Sequence, residues 1–255
     1  MNPRALRWSE LRWPEVAELP ARRLVGILPV GAVEAHGPHL PLNTDEVIAL
    51  AMAEEGGALL ARAGWTAVLL PPISYVAAPF AASFPGTFSL SPELVTRLVL
   101  EVAENWARHG ARALVLANAH LDPAHLKALE QARLDAAERL SMPVVFPNLA
   151  RRPWALRLTE EFLSGACHAG CYETSIVLAT RPDLVRMDLA HRLPANSTSL
   201  SEGIRQGKAS FEELGGHQAY FGDPAAATEA EGRRTLSALG GIVADAALAV
   251  LGEAP

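Results

Sequence analysis

Four short apolar runs, separated by segments with helical spacing, constrain the fold of this chain more than any other feature. The runs cover residues 24–30, 66–70, 113–117 and 143–146, and apolar and polar residues do not alternate within them. Such runs are typical of parallel strands that are buried on both faces of a sheet. The order of strands and helices therefore predicts an α/β fold, a three-layer α/β/α sandwich with a mostly parallel central sheet and right-handed crossovers.

Helix boundaries and loops divide the rest of the chain. Asp122 followed by Pro123 is typical of an N-cap residue and the first residue of a helix. The segments 71–90 and 192–224 are rich in proline or glycine and predict long loops, which often carry function in compact domains. Because no linker, repeat or low-complexity tract interrupts the sequence, we expect one domain over residues 1–255.

Composition and charge exclude several classes of protein. Half of the residues are hydrophobic and the formal net charge is −6, which is unlike nucleic-acid-binding proteins and disfavours adsorption to anionic membranes. Two cysteines cannot cross-link a chain of 255 residues, and the start of the chain lacks the apolar core of a signal peptide. The longest apolar stretch, Leu236–Leu251, contains Asp245 and is expected to be too short to span a bilayer. We therefore expect a cytoplasmic protein with no nucleic-acid or membrane partner.

Carboxylate and imidazole side chains follow the first apolar run within a segment rich in glycine and proline. Glu34 and His36 lie two residues apart, and Asp45 stands near the start of the next predicted helix. In open parallel sheets, ligand sites form at the carboxyl ends of the strands. Mixed oxygen and nitrogen donors at such an end suit zinc, manganese or iron.

The third apolar run ends in a similar way, with His120 and Asp122. If this strand lies beside the first one, both side chains face Glu34, His36 and Asp45. Five ligands exceed the needs of one tetrahedral ion, and a set with several carboxylates suits two ions that share a bridge. We therefore expect two divalent ions per chain, with zinc preferred and manganese or iron as alternatives. Asp122 has a competing interpretation as the N-cap of the helix that follows it.

A third segment with titratable side chains begins at Cys167. It contains His168, whose imidazole titrates near neutral pH and could move protons, and Glu173, which could be a metal ligand or a base. A structural interpretation of Glu173 is a first-turn carboxylate favoured by the helix dipole. Cys167 and Cys171 flank His168, and we interpret both as small packed side chains rather than as metal ligands.

The segment Val30–Asp45 resembles the signature of the creatininase (creatinine amidohydrolase) family. Four shorter motifs of that family follow in the same order: Phe84-Pro85-Gly86-Thr87, Asn118-Ala119-His120, His168-Ala169-Gly170 with Glu173-Thr174-Ser175, and Gly222-Asp223-Pro224. The resemblance implies a creatininase-like fold, two metal ions and hydrolysis of a C–N bond in a small-molecule amide, often a cyclic one, rather than an ordinary peptide bond. It also implies a homo-oligomer, which is a hexamer in many members.

The resemblance further implies roles for the residues that match the family motifs. Glu34 and His120 would bind one ion, His36 would bind the other, and Asp45 would bridge them. Ions held in this way lower the pKa of a shared water toward neutrality, so that hydroxide can attack an amide carbonyl.

The resemblance leaves the last ligand open. Asp122 occupies the place of a glutamate ligand in creatininase, whereas other members use the glutamate that matches Glu173. His168 matches the residue to which a proton shuttle is assigned, so that His168 and Glu173 are the catalytic candidates and His168 protonates the leaving nitrogen.

Two departures from the family pattern concern the substrate. Leu121-Asp122-Pro123 stands where many members have Gly-Gly-Asn, and residues 76–82 lack the polar side chains of the corresponding family loop. Both changes argue against creatinine itself. Alternatives within the family are a formamide hydrolase and a peptide-trimming hydrolase. An alternative of another class is a non-catalytic binding protein that kept the fold.

Overall fold

The computed structural model of the chain describes residues 4–252, and its centre is a parallel sheet. The strands are β1 (Leu6–Arg7), β2 (Leu24–Val30), β3 (Thr66–Leu69), β4 (Ala113–Asn118) and β5 (Val144–Val145). Their order in the sheet is β1-β3-β2-β4-β5, and every neighbouring pair is parallel. The four apolar runs of the sequence are β2 to β5, so the predicted α/β fold is confirmed. Strand β1 was not predicted, because its two exposed residues carry no apolar pattern.

Helices connect these strands and cover the sheet. Within residues 4–252 the α-helices are α1 (Trp13–Ala17), α2 (Thr44–Arg62), α3 (Pro92–Ala107), α4 (Pro123–Arg139), α5 (Glu160–Ser164), α6 (Cys171–Thr180), α7 (Met187–Ala190), α8 (Leu200–Arg205) and α9 (Glu229–Leu251). Ser91 accepts a hydrogen bond from the Leu94 N–H and Asp122 accepts one from the Ala124 N–H, so side-chain caps define where α3 and α4 begin.

Successive side chains of the buried strands pack into two separate cores. Val25 and Ile27 of β2 pack with α2, α6 and α9 on one face of the sheet. Leu24 and Leu28 pack with α3 and α4 on the other face. Because both faces of the sheet are covered by helices, the architecture has the three layers that the unalternated runs predicted.

The last helix is longer than its apolar stretch indicated. Helix α9 begins at Glu229, where the side chain of Thr228 accepts the Glu231 N–H, and it has 23 residues. By length and composition it could cross a membrane, so the expectation that the segment is too short is wrong. Core helices pass the same test, and 56% of its apolar window is buried inside the fold. A Cβ at Gly56 of α2 would lie 2.6 Å from Val243, so the two helices pack in close contact.

The chain reverses its direction of travel across the sheet between β2 and β4. From β2 it continues through α2 to β3 on one side, and from β4 it continues through α4 to β5 on the other. Strands β2 and β4 lie side by side, with Val30 paired with Asn118 at their carboxyl ends. In open parallel sheets this point leaves a crevice between the departing loops, in which ligands bind.

Candidate metal centre

The loop after β2 is held close to the first turn of α2. The Glu34 N–H donates to the Leu42 carbonyl at 2.9 Å, which folds the loop back on itself. A Cβ at Gly31 would lie 2.5 Å from the backbone nitrogen of Glu46, so only glycine allows this approach. Asp45 is the second residue of α2, where the helix dipole favours a negative charge. The loop and the helix start thereby bring Glu34 and Asp45 together.

Glu34, Asp45 and His120 form a buried group, here called the strand-end cluster. Their ligand atoms lie within 4.8 Å of one another, and the residues are 1%, 1% and 4% exposed. His120 Nδ1 lies 2.9 Å from Glu34 Oε2 and 2.9 Å from Asp45 Oδ2. His120 Nε2 lies 3.0 Å from the Ala77 carbonyl, to which an Nε2–H donates. In the neutral ring, Nδ1 then carries a lone pair that is aimed between the two carboxylates.

His36, His168 and Glu173 form a second group beside the first, here called the turn cluster. His36 Nε2 lies 3.6 Å from Glu173 Oε2. The opposite ring nitrogen, Nδ1, lies 3.0 Å from the Glu34 carbonyl and donates to it, which leaves the lone pair of Nε2 in the cluster. The His168 ring packs against that of His36 with a centroid distance of 4.3 Å.

Asp45 connects the two clusters. Its Oδ1 lies 3.2 Å from His36 Nε2, and its Oδ2 lies 2.9 Å from His120 Nδ1. One carboxylate therefore has an oxygen directed toward each donor group, which is the arrangement of a bridging ligand between two cations.

The donor atoms fit a metal ion because they lack other partners. Glu34 Oε2, His36 Nε2 and Asp45 Oδ2 are buried and make no hydrogen bond within residues 4–252. Uncompensated polar atoms cost free energy when they are buried, and charged ones cost more. A divalent cation would satisfy all three atoms, and oxygen and nitrogen donors together suit zinc, manganese or iron.

The charges of the clusters are strongly coupled in the metal-free protein. Burial opposes the charged form of His36, but the nearby carboxylates of Asp45 and Glu173 raise its pKa to about 10. Burial raises the pKa of Glu173 to about 8 despite the neighbouring His36. Burial and the charge of His36 lower the pKa of His168 to about 4. The turn cluster thus holds protons near neutral pH that a bound cation would displace.

A glutamate outside both clusters, Glu161 of α5, fixes the start of α6. Its carboxylate oxygens accept the N–H groups of Tyr172 and Asp223, each at 2.8 Å. A Cβ at Gly170 or at Gly222 would lie 2.5 Å from a Glu161 oxygen, so both glycines make room for this carboxylate. Sequence reasoning missed Glu161, because no local pattern indicates that it joins two distant glycine motifs.

The turn that carries His168 has an unusual backbone. Ala169 has a φ of 51°, in the left-handed region that costs a residue with a Cβ about 1–2 kcal/mol. The Ala169 N–H donates to Glu173 Oε2 at 2.6 Å, and the Phe221 N–H donates to the His168 carbonyl at 2.7 Å. Contacts from α6 and from a distant loop therefore maintain this turn.

Asp122 does not belong to either cluster. Its Oδ1 accepts the Ala124 N–H at 2.8 Å, and its Oδ2 accepts the Phe80 N–H at 3.2 Å. Both oxygens are thereby used by the backbone, so the structure places the predicted ligand Asp122 as the N-cap of α4. Glu173 is the carboxylate that the fold brings to the turn cluster.

Two other histidines contact neighbours of the site residues, and neither they nor the two cysteines belong to the clusters. His39 Nε2 lies 2.9 Å from Thr174 Oγ1, in the residue next to Glu173. His125 Nε2 lies 2.9 Å from Asn118 Oδ1, and Asn118 donates to the His120 carbonyl at 2.6 Å. Cys167 and Cys171 are not bonded to each other, and burial raises the pKa of Cys171 to about 12.

A cavity of about 450 Å³ opens above the clusters. Five residues of the clusters reach its surface: Glu34, Asp45, His120, His168 and Glu173. His36 is wholly buried and does not line the cavity, whereas Asp122 does. A molecule in this cavity would contact both donor groups at once.

A buried set of carboxylates and imidazoles, at the carboxyl ends of parallel strands and open to a cavity, defines a metalloenzyme. The family model described as "Creatininase: Creatinine amidohydrolase" matches residues 9–247. The chain therefore belongs to the creatininase family, and the resemblance read from its motifs is confirmed.

Similar proteins agree with this assignment. The mycofactocin precursor peptide peptidase of Mycobacterium tuberculosis (strain ATCC 25618 / H37Rv) is 32% identical over 245 residues, which cover 91% of this chain and 87% of that protein. The creatinine amidohydrolase of Pseudomonas putida is 33% identical over 196 residues, 71% of this chain and 74% of that protein. A solved creatininase with manganese has a TM-score of 0.71 and 26% identity, covering 97% of this chain and 99% of that one. The chain is thus a hydrolytic, metal-binding enzyme of the amidohydrolase type.

Proposed function

We propose that this enzyme hydrolyses an amide-type C–N bond of a small molecule with two divalent ions, zinc first and manganese or iron as alternatives. The observation that carries the proposal is the Asp45 carboxylate, whose two oxygens lie 3.2 Å and 2.9 Å from histidine nitrogens of two different donor groups. Such ions supply Lewis acidity, since they polarise a carbonyl oxygen and lower the pKa of water.

The ligands of each ion follow from the clusters. Glu34, His120 and one oxygen of Asp45 would hold the first ion. His36, Glu173 and the other Asp45 oxygen would hold the second. Hydrogen bonds from the remote ring nitrogens of His36 and His120 to backbone carbonyls orient both imidazoles, so each presents a fixed lone pair.

His168 is the candidate for proton transfer. It lines the cavity, and its Nε2 lies 3.0 Å from the Ala35 carbonyl, to which an Nε2–H donates. The remaining nitrogen, Nδ1, is then the atom that takes up and releases a proton. In amide hydrolysis this proton goes to the leaving nitrogen, which must be protonated before the C–N bond breaks.

Two further activities of the same family compete with a cyclic amide as substrate. A formamide hydrolase would use the same ligands, and so would a peptide-trimming hydrolase. The second is favoured by the peptidase relative, which is 32% identical over 91% of this chain. A non-catalytic descendant is disfavoured, since Glu34, His36, Asp45, His120, His168 and Glu173 are all present and converge.

The direct test is a substrate panel with the metal-loaded and the chelated protein. Cyclic amides, formylated amines and short peptides would be compared side by side, with release of the amine as the readout. We expect turnover of at least one class that is lost on chelation and restored by adding metal. A fully folded protein that binds no metal and turns over no amide would contradict the proposal.

We also propose that the enzyme works in the cytoplasm as a homo-oligomer, a hexamer by analogy with its family, without a nucleic-acid or membrane partner. The formal net charge of −6 supports the last point. Size-exclusion chromatography with light scattering would test the oligomer, and a monomeric mass at micromolar concentration would contradict it.

A further inference from the structure

The walls of the cavity differ in chemistry from its floor. Above the metal ligands, the cavity is lined by the aromatic rings of Phe80, Phe162 and Phe211 and by the aliphatic side chains of Leu126, Leu200 and Ile204. The Phe211 ring lies over His168 with a centroid distance of 4.5 Å, so the apolar wall begins beside the metal ligands. A pocket of this kind favours a substrate with a bulky hydrocarbon or aromatic group, and a small polar amide would leave the wall in contact with water.

Helix α8 forms one side of the cavity in a fixed orientation. Leu200, Ser201, Ile204 and Arg205 line the cavity. Gly203 packs against Leu214, and a Cβ there would overlap the Leu214 side chain. Because this contact requires glycine, the packing of Gly203 keeps the lining residues of α8 turned to the cavity.

Arg205 is the single lysine or arginine among the residues that line the cavity. Its side chain is exposed, so it lies at the open side, and within residues 4–252 no carboxylate lies within 4.0 Å of its guanidinium. None of the carboxylates that line the cavity is left to pair with Arg205. Glu34, Asp45 and Glu173 belong to the metal clusters, and both Asp122 oxygens accept backbone N–H groups.

We propose that the substrate is an amide that carries a bulky apolar group and a free carboxylate, and that Arg205 binds this carboxylate at the mouth of the cavity. A guanidinium group can bind a carboxylate through two parallel hydrogen bonds, which fixes its orientation. The substrate class is then an N-acyl derivative of an apolar amino acid, or the C-terminal bond of a short peptide. This inference rests on the proposed amide hydrolysis.

The reaction consumes one water molecule. A C–O bond forms at the amide carbonyl, the C–N bond breaks, and one proton of the water goes to the leaving nitrogen. The products are a carboxylic acid and an apolar amino acid, whose carboxylate is unchanged and still faces Arg205.

The test uses two compounds that differ only in the carboxylate, N-acetyl-phenylalanine and N-acetyl-phenethylamine. Calorimetry would measure how tightly each one binds to the metal-loaded protein. We expect the acid to bind about tenfold more tightly, a typical gain for a charge-assisted pair. In Arg205→Gln this preference falls to about twofold or less, and Arg205→Lys retains part of it. N-acetyl-glycine, which lacks the apolar group, binds the wild type about tenfold more weakly than N-acetyl-phenylalanine.

Arg62→Gln is the matched control, because Arg62 is exposed at the end of α2 that is remote from Asp45. We expect the Arg62→Gln protein to keep the full preference for N-acetyl-phenylalanine over N-acetyl-phenethylamine. An acid preference that survives in Arg205→Gln would overturn the inference, since the metal ions alone would then hold the carboxylate. Equal or undetectable binding of both compounds to the wild type would overturn it as well.

Turnover separates this inference from the proposed function. If metal-dependent hydrolysis occurs without a contribution from Arg205, the carboxylate site fails and the amide hydrolase stands. If the Arg205-dependent preference is present but no amide is turned over, the hydrolase proposal fails and the binding site stands.

Discussion

The strand-end cluster and the turn cluster are held by different parts of the fold. His120 stands two residues after the end of β4, and Asp45 lies in the first turn of α2, a helix of 19 residues. The end of a strand and the start of a long helix therefore determine where these two ligands lie, whereas Glu34 lies in the loop after β2. His36 and His168 instead stand in loops, and Glu173 lies near the start of the short helix α6.

The turn cluster therefore depends on contacts between distant segments of the chain. Glu161 joins α6 to residue 223, and the backbone of Ala169 is in the left-handed region. Strain of this kind persists only when the surrounding structure enforces it. We therefore expect the turn cluster to lose its ion first when the protein is perturbed.

The largest effect is expected where the two clusters meet. Asp45→Asn removes the charge of the carboxylate that faces both donor groups, so we expect loss of both ions and of turnover. Metal analysis by mass spectrometry after dialysis would measure the ions, and circular dichroism would check the fold. A folded Asp45→Asn protein that keeps one ion tightly would indicate that the clusters bind metal independently.

A substitution within the turn cluster should have a more selective effect. Glu173→Gln removes one anionic ligand, and we expect the metal content to fall from two ions per chain to one, with turnover lost. Asp122→Asn is the matched control, because Asp122 caps α4. It should keep both ions while the free energy of unfolding falls by about 1 kcal/mol or less. The reverse result would assign the second ion to Asp122.

The role of Glu161 in holding the start of α6 can be tested without changing a proposed metal ligand. In Glu161→Gln, an amide group replaces one of the oxygens that accept backbone N–H groups, and we expect about 10- to 100-fold weaker binding of the second ion, as for other outer-shell changes. Competition with a chelator would measure the affinity, and restoration of turnover at high metal would separate this role from ligation. Glu160→Gln, at an exposed neighbour, is the control and should bind both ions normally. Equal affinity in both variants would contradict the role of Glu161.

The smallest effect concerns the pH dependence of the metal-free protein. Since the folded-state pKa of His36 is raised to about 10 and that of Glu173 to about 8, the folded chain holds protons that the unfolded chain has released. Stability from these groups is present at low pH and is lost as pH rises through those values. We expect the free energy of unfolding of the chelated protein to fall by about 2 kcal/mol between pH 7 and pH 8.

Chemical denaturation at the two pH values would measure this change. The metal-loaded protein should not show it, because the ions displace the same protons. A chelated protein that is equally stable at pH 7 and pH 8 would show that the turn cluster does not hold these protons.

The sheet and the strand-end cluster could be predicted because their signals are local. The runs at 24–30 and 113–117 identify β2 and β4, and once these strands are neighbours, His120 must lie near Glu34. His168 and Glu173 could be identified as candidates from their chemistry, but they lie more than 100 residues from Glu34 in sequence, so only motif resemblance placed them in the same site. The part played by Glu161 and the use of both Asp122 oxygens depend on long-range backbone contacts, which no spacing within one segment reveals.

Electron paramagnetic resonance of the protein loaded with Mn²⁺ would show whether two ions share Asp45. Ions bridged by one carboxylate lie about 3.5–4 Å apart, close enough for magnetic coupling. We expect a coupled spectrum at two Mn²⁺ per chain in the wild type and an uncoupled six-line spectrum at one Mn²⁺ per chain in Glu173→Gln. An uncoupled spectrum from the fully loaded wild type, or saturation at a single Mn²⁺ per chain, would contradict the claim.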